Sequence, residues 1–152
     1  MKAILFLVLT LTISCKSHEK AAMAVSEDSI QEEFTLLLSD NYGGTATAEI
    51  QVIKDTKTLI RFFAEINKTR KPGLPLPTID FNKEMVLVYC YGSTQLKTIP
   101  GLFVKEETDQ EKILGVMEGE NQLTSSDSAI KLPFSLYKLP LSEKQYILRT
   151  NE

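Results

Sequence analysis

The sequence predicts an α+β domain, a mostly antiparallel and sandwich-like β-sheet that carries one early amphipathic helix. Helical spacing of apolar residues occurs once, at Leu59, Phe62, Phe63 and Ile66. Several other short segments are apolar runs or alternate with a period of two, as strands do. Glycines and prolines separate these segments at short intervals. A series of strands around one early helix is typical of an α+β domain or of a β-sandwich that carries a helix.

Two strands are predicted before the helix. Residues 34–38 form a short apolar segment, and residues 45–54 alternate between apolar and polar side chains. The sequence Asn41-Tyr42-Gly43-Gly44 between them is typical of a turn. We therefore expect the two strands to form a hairpin.

The helix has a predicted beginning and end. Asp55 stands where an N-cap residue can accept a hydrogen bond from the first turn. The proline-rich segment 72–77 must end the helix, because proline cannot continue one.

Further strands follow the proline-rich segment. Residues 85–91 are apolar on both faces, which indicates a central strand. Residues 130–139 contain Pro133, so this strand either lies at a sheet edge or begins at the proline. The other predicted elements are a strand at 102–107, a turn at Asp109-Gln110, and strands at 112–117 and 145–149.

The N-terminus has the features of a secretory signal. Met1 and Lys2 precede a mostly apolar run at 3–13, and Ser14 and Cys15 follow. The run is too short to span a bilayer, which needs about 20 residues, and it matches the apolar region of a signal peptide. The small residue and cysteine after it resemble the lipobox of bacterial lipoproteins, although Thr12 stands where that family usually has leucine.

The lipobox resemblance implies the domain organisation. Residues 1–14 are the expected signal peptide, 15–32 the lipid anchor and flexible tether, and 33–152 a single domain. Diacylglycerol on Cys15 would supply the two acyl chains that stable membrane anchoring requires. A secreted protein cut at Ala22-Met23-Ala24 is the alternative. Since lysine rather than aspartate follows Cys15, the resemblance favours the outer membrane over the inner one in an envelope with two membranes.

Composition excludes several classes of function. The net charge is −3 and there is no basic cluster of the kind that binds nucleic acid. The one histidine, His18, lies in the tether, so Cys90 has no histidine in the domain to activate it. We therefore expect Cys90 to be a small buried hydrophobe, and we predict no metal, no cofactor and no catalytic residue.

The middle of the domain resembles the C-terminal domain family of the protease-complex subunit PrcB. The resemblance lies in residues 79–88 followed by Gly92, in Pro133-Phe134-Ser135-Leu136, and in Leu139-Pro140. The family commonly has a Thr-Gly-Gly-Tyr-like stretch after the central strand, and this sequence lacks it. The resemblance implies a non-enzymatic module that associates with, or stabilises, a secreted protease.

Two loops are the predicted contacts with that partner, since loops on a rigid scaffold carry most binding residues. One is the turn at Tyr42, Gly43 and Gly44. The other is the loop 93–101, where Leu96, Ile99 and Pro100 are the expected apolar tips.

Other functions stay open at this point. One is a small-ligand-binding or structural lipoprotein of the cell envelope. A protease-inhibitor-like domain of the chagasin type is a minor alternative, whose Asn-Pro-Thr-Thr-Gly motif is absent. An enzyme would have to use paired carboxylates, because no serine lies in a nucleophile elbow. The carboxylates available are Asp80, Glu84, Glu106 and Glu107, and the hydroxyls include Ser93 and Ser125.

Overall fold

The computed structural model describes residues 34–93, 98, 100–117, 119 and 131–149. These residues form seven strands and one helix, in the order β1 (Thr35–Asp40), β2 (Ala48–Ile53), α1 (Thr56–Ile66), β3 (Glu84–Tyr91), β4 (Gly101–Glu107), β5 (Glu111–Met117), β6 (Phe134–Pro140) and β7 (Gln145–Leu148). The strands form two sheets. The expectation of a mostly β, α+β domain is thereby confirmed.

The first sheet has four strands in the order β1-β6-β3-β2, all antiparallel to their neighbours. The predicted hairpin of the first two strands is wrong, because β1 pairs with β6 and β2 pairs with β3. The turn between them is real, but its amide at Gly44 donates to the carbonyl of Leu132, 2.8 Å away. This bond holds the turn against the segment before β6, and the chain then continues to the opposite edge of the sheet.

The predicted central strand is confirmed. β3 lies between β6 and β2, and every residue from Met85 to Tyr91 is buried. β6 is also an interior strand, so the expectation of an edge strand is wrong. Pro133 stands just before Phe134, the first residue of β6, and thus outside the ladder. The alternative that this strand begins at the proline is therefore correct to within one residue.

The predicted helix and its cap are confirmed. The carboxylate of Asp55 accepts hydrogen bonds from Thr58 N at 2.8 Å and from Thr58 Oγ1 at 2.7 Å. Leu59, Phe63 and Ile66 are buried. The helix ends at Ile66, well before the first proline, and Asn67 is the C-cap.

The side chain of Asn67 holds the proline-rich segment back against the helix end. Its Nδ2 donates to the carbonyl of Leu74 at 3.0 Å, and its Oδ1 accepts from the amide of Leu74 at 2.7 Å. One side chain thereby satisfies both polar groups of a backbone unit in a segment without regular structure. The proline-rich segment follows the helix end rather than causing it.

The second sheet has the order β4-β5-β7. β4 and β5 form an antiparallel hairpin across the predicted turn at Asp109 and Gln110, whereas β5 and β7 are parallel. The outer face of this sheet is tightly packed at Gly115, where an added Cβ would lie 2.4 Å from the Phe103 ring. A larger residue at this position would displace the Phe103 ring, which occupies the place of a side chain.

Two clusters of buried residues form the core, one on each face of the first sheet. One lies between this sheet and α1, and the other lies between the two sheets. The cluster on the α1 side contains Ile53, Leu59, Phe63, Ile66, Val86, Val88, Cys90, Phe134 and Leu136. The cluster that the two sheets share contains Met85, Leu87, Tyr89, Tyr91, Leu102, Leu114, Tyr137, Leu139 and Tyr146. β3 contributes alternate residues to the two clusters, which explains why its sequence is apolar without a period of two.

Candidate partner-binding cleft

A cleft of about 490 Å³ lies between the turn after β1 and the C-terminal end of α1. The turn lines one side and the helix end lines the other. The lining residues are Tyr42, Gly43, Gly44, Glu65, Ile66, Thr69 and Arg70. All three residues of the predicted partner-binding turn therefore lie at one cleft, together with four residues from the helix end that were not predicted as contacts.

Arg70 fixes the turn to the helix end. Its Nη1 and Nη2 donate to the two carboxylate oxygens of Asp40 at 2.9 Å and 2.7 Å, and its Nε donates to the carbonyl of Ile66 at 3.0 Å. Nη2 also donates to the carbonyl of Tyr42. Such a bidentate pair is strong and directional. The guanidinium is therefore a brace that joins β1, the turn and α1.

The Asp40–Arg70 pair is mostly shielded from solvent. The side chain of Asp40 is 22% exposed and that of Arg70 is 18% exposed. Arg70 is therefore a mostly shielded member of an ion pair rather than a solvated charge at the helix end. No local signal identifies the pair, because its members stand thirty residues apart and belong to different elements.

The two glycines let the turn approach the core. Gly43 has φ of 109°, a conformation that side chains rarely adopt, and an added Cβ would lie 3.2 Å from both Ile66 Cγ2 and Phe134 Cε1. A Cβ on Gly44 would lie 2.7 Å from the Pro133 carbonyl oxygen. Both positions therefore require glycine for conformation or space. The backbone of the turn consequently packs directly against the core.

Tyr42 is the exposed element of this fixed turn. Its side chain is 52% exposed, the highest value among the large apolar side chains of the described residues. Its amide donates to Asp40 Oδ1 at 2.8 Å and its carbonyl accepts from Arg70. A held backbone and an outward ring are the properties of an aromatic contact residue, because little entropy is lost when such a residue binds a partner.

The second predicted contact loop gives a different result. Leu96 and Ile99 lie outside the described residues. Pro100 is buried, and its carbonyl accepts a hydrogen bond from Tyr137 Oη at 3.2 Å. Pro100 therefore does not present an apolar tip to solvent, because it is buried just before β4.

Several of the remaining candidate residues take part in packing or in ion pairs. Cys90 is buried in the α1-side cluster with 7% exposure, as expected of a small hydrophobe. Glu84 pairs with Lys138 at 2.8 Å, and this hydrogen bond lowers the pKa of the carboxyl group. The pKa of Glu107 is lowered in the same way by Lys144. Cys15 and Ser125 lie outside the described residues.

The described residues contain neither a candidate metal cluster nor a candidate membrane-crossing helix. No cluster of three or more histidine, cysteine, aspartate or glutamate side chains capable of holding a metal ion occurs among them. Within the same residues, no helix has the length and apolar character needed to cross a membrane.

The chain was compared with protein-family models, with curated proteins and with solved structures, and no match was found in any of the three. The resemblances to bacterial lipoproteins and to the PrcB family therefore stay predictions. The geometry of the cleft is the main structural guide to function.

Proposed function

We propose that the protein is a non-enzymatic accessory lipoprotein of the cell envelope, anchored through lipid on Cys15, and that it binds a protein partner at the cleft. In this proposal the partner is a secreted protease, and residues 33–152 form one sandwich-like, PrcB-like domain at the end of the tether 15–32. The proposed location is the outer membrane in an envelope with two membranes.

One observation carries the binding part of the proposal: a braced turn holds Tyr42 half-exposed beside an open cleft. Arg70 fixes the turn through four hydrogen bonds, three of them to Asp40 and Ile66 at 2.7–3.0 Å. Exposed tyrosines with fixed backbones are common energetic centres of protein interfaces.

The test of binding uses the full-length chain in its own cells. A photoreactive benzoylphenylalanine replaces Tyr42, and the matched control carries the same residue at Glu49, which is exposed on β2. After irradiation, the position-42 chain is expected to yield a covalent adduct with a secreted protease that the position-49 chain does not yield. Equal adducts from both positions, or none from position 42, would contradict the proposal.

The test of anchoring uses the mass of the mature N-terminal peptide. A diacylglycerol on Cys15 is expected in the native chain, and Cys15→Ser is expected to release the protein from the membrane fraction. A native N-terminal peptide that begins after residue 24 without lipid would instead identify the secreted alternative.

A further inference from the structure

The charged groups of the cleft are compensated unequally. Two ionised side chains line it, Glu65 and Arg70. Arg70 is neutralised by both oxygens of the Asp40 carboxylate, and four of its five N–H groups have acceptors. The guanidinium therefore has little capacity left to attract an anion into the cleft.

Glu65 is compensated only weakly. Its Oε2 lies 2.6 Å from Lys68 Nζ, but the two side chains are 69% and 66% exposed. Exposed ion pairs of this kind contribute little, because water screens them and two flexible side chains must be held. Lys68 is also not one of the lining residues. A cation from a partner can therefore share or replace this contact at small cost.

The helix end adds negative potential on the same side. The cleft is lined by Glu65, Ile66 and Thr69, at and just beyond the C-terminus of α1, where the helix dipole favours cations. The carbonyls of Phe63, Glu65 and Ile66 already accept hydrogen bonds from Asn67, Lys68 and Arg70. The helix therefore contributes the electrostatic potential of its dipole, and these three carbonyls do not need a hydrogen bond from a ligand.

Tyr42 supplies the opposite wall. Tyr42 is 52% exposed and is one of the residues that line the cleft. The face of an aromatic ring attracts a lysine or arginine cation placed within about 6 Å of its centre. A carboxylate and an aromatic ring on two sides of one opening together suit a long basic side chain, whose apolar stem can lie along the cleft.

We infer that the cleft takes a basic side chain, a lysine or an arginine of the partner protein, between the Tyr42 ring and the Glu65 carboxylate. This inference rests on the proposed function, because it names the chemistry that the partner presents. The protein then recognises its partner by a basic residue in an accessible segment, and added salt weakens the contact.

The test compares peptides that differ in one charge. The full-length chain, labelled with ¹⁵N in detergent micelles, is titrated with Gly-Ala-Arg-Ala-Gly and with the same peptide that carries neutral citrulline in place of arginine. The arginine peptide is expected to shift the amide signals of Tyr42, Gly43 and Thr69 in a saturable way. The citrulline peptide is expected to bind about tenfold more weakly, since it loses the ion pair and most of the cation–π attraction.

Three variants locate the effect. Glu65→Gln and Tyr42→Leu are each expected to weaken binding of the arginine peptide several-fold, on the order of the loss of one exposed contact. Glu49→Gln removes an exposed carboxylate away from the cleft and is expected to change nothing. Unchanged amide signals elsewhere would show that each variant is folded.

The other outcomes overturn the inference in distinguishable ways. Equal binding of the citrulline peptide, or preferential binding of a matched glutamate peptide, would leave the cleft a protein-binding site of different chemistry. An absence of shifts with all three peptides would also overturn it. The proposed function itself fails separately, through the cross-linking result at position 42.

Discussion

The two faces of the four-stranded sheet are both buried, but they differ in the polar groups that they bury. The side chains in the α1-side cluster are apolar except for the thiol of Cys90. The cluster that faces the second sheet contains four tyrosines. On the α1 side stability depends on filled volume, whereas on the other side each hydroxyl group must also find a partner.

The face towards the second sheet, the polar face, links some of its hydroxyls in a short chain of hydrogen bonds. Tyr91 Oη forms a hydrogen bond with Ser135 Oγ, which donates to Ser39 Oγ at 3.0 Å. Ser39 in turn donates to the carbonyl of Phe134 at 3.3 Å. Three strands of the sheet, β1, β6 and β3, are thereby joined by side chains as well as by their backbones. This comparison predicts different sensitivities to mutation on the two faces.

The largest expected effect is a cavity on the apolar face. Phe134 is fully buried and its ring packs edge-on against Phe62 with the centroids 5.7 Å apart. Phe134→Ala is expected to lower the free energy of unfolding by about 3–5 kcal/mol, as measured by urea unfolding. Leu36→Ala, at a site that is 43% exposed, is the control and is expected to cost far less. Equal losses for the two variants would contradict the assignment of the core.

A smaller effect is expected when a hydrogen bond is broken on the polar face. Ser135 has no exposed surface, and Ser135→Ala leaves the Tyr91 hydroxyl without its closest partner. The expected loss is about 1–3 kcal/mol. Ser93→Ala, at an exposed position, is expected to stay within about 0.5 kcal/mol of the native chain.

A double-mutant cycle makes this test specific. If the two hydroxyls interact, Ser135→Ala combined with Tyr91→Phe should cost less than the sum of the single changes. Additive losses would show that the contact contributes nothing of its own.

The ionisation of the buried tyrosines has the smallest expected effect on the free energy of unfolding at neutral pH. Burial raises the pKa of Tyr89 to about 12 and also raises the pKa values of Tyr91 and Tyr137. In the unfolded chain tyrosine has a pKa of about 10. Because the unfolded chain then releases protons before the folded one, stability is complete below about pH 10 and falls as the pH rises towards the folded pKa values.

This prediction is checked by urea midpoints on both sides of about pH 10, together with the ultraviolet absorbance of tyrosinate. Tyr89→Phe should reduce the alkaline slope, because it removes one of the three buried groups whose pKa is raised. A midpoint that is independent of pH across this range would show that the polar face is open to water.

The sequence predicted those elements that local pattern determines. The helical spacing and the cap at Asp55 predicted α1 correctly, and the apolar run 85–91 predicted the central strand. The pairing of β1 was not predictable in the same way. The turn at 41–44 is typical of a hairpin, but the choice of partner depends on β6, which stands almost a hundred residues later.

The candidate site was also predictable only where a local pattern determines it. The two glycines marked the turn, and the turn was predicted as a contact because loops on a rigid scaffold carry most binding residues. Asp40 and Arg70, which hold that turn in place, meet only in the folded chain. The local sequence around a solvated arginine does not differ from that around an arginine in a shielded ion pair. Only the tertiary structure shows which of the two Arg70 is.

The position of β6 between β1 and β3 has a consequence for biosynthesis. The first strand of the described chain cannot find its place until residues 134–140 have been made, because its ladder runs from Thr35 opposite Lys138 to Asp40 opposite Phe134. Pairings between such distant segments form slowly. In a chain that is exported as proposed, the first sheet could therefore not be completed until residues 134–140 had been synthesised, since β1 and one edge of β3 both pair with β6.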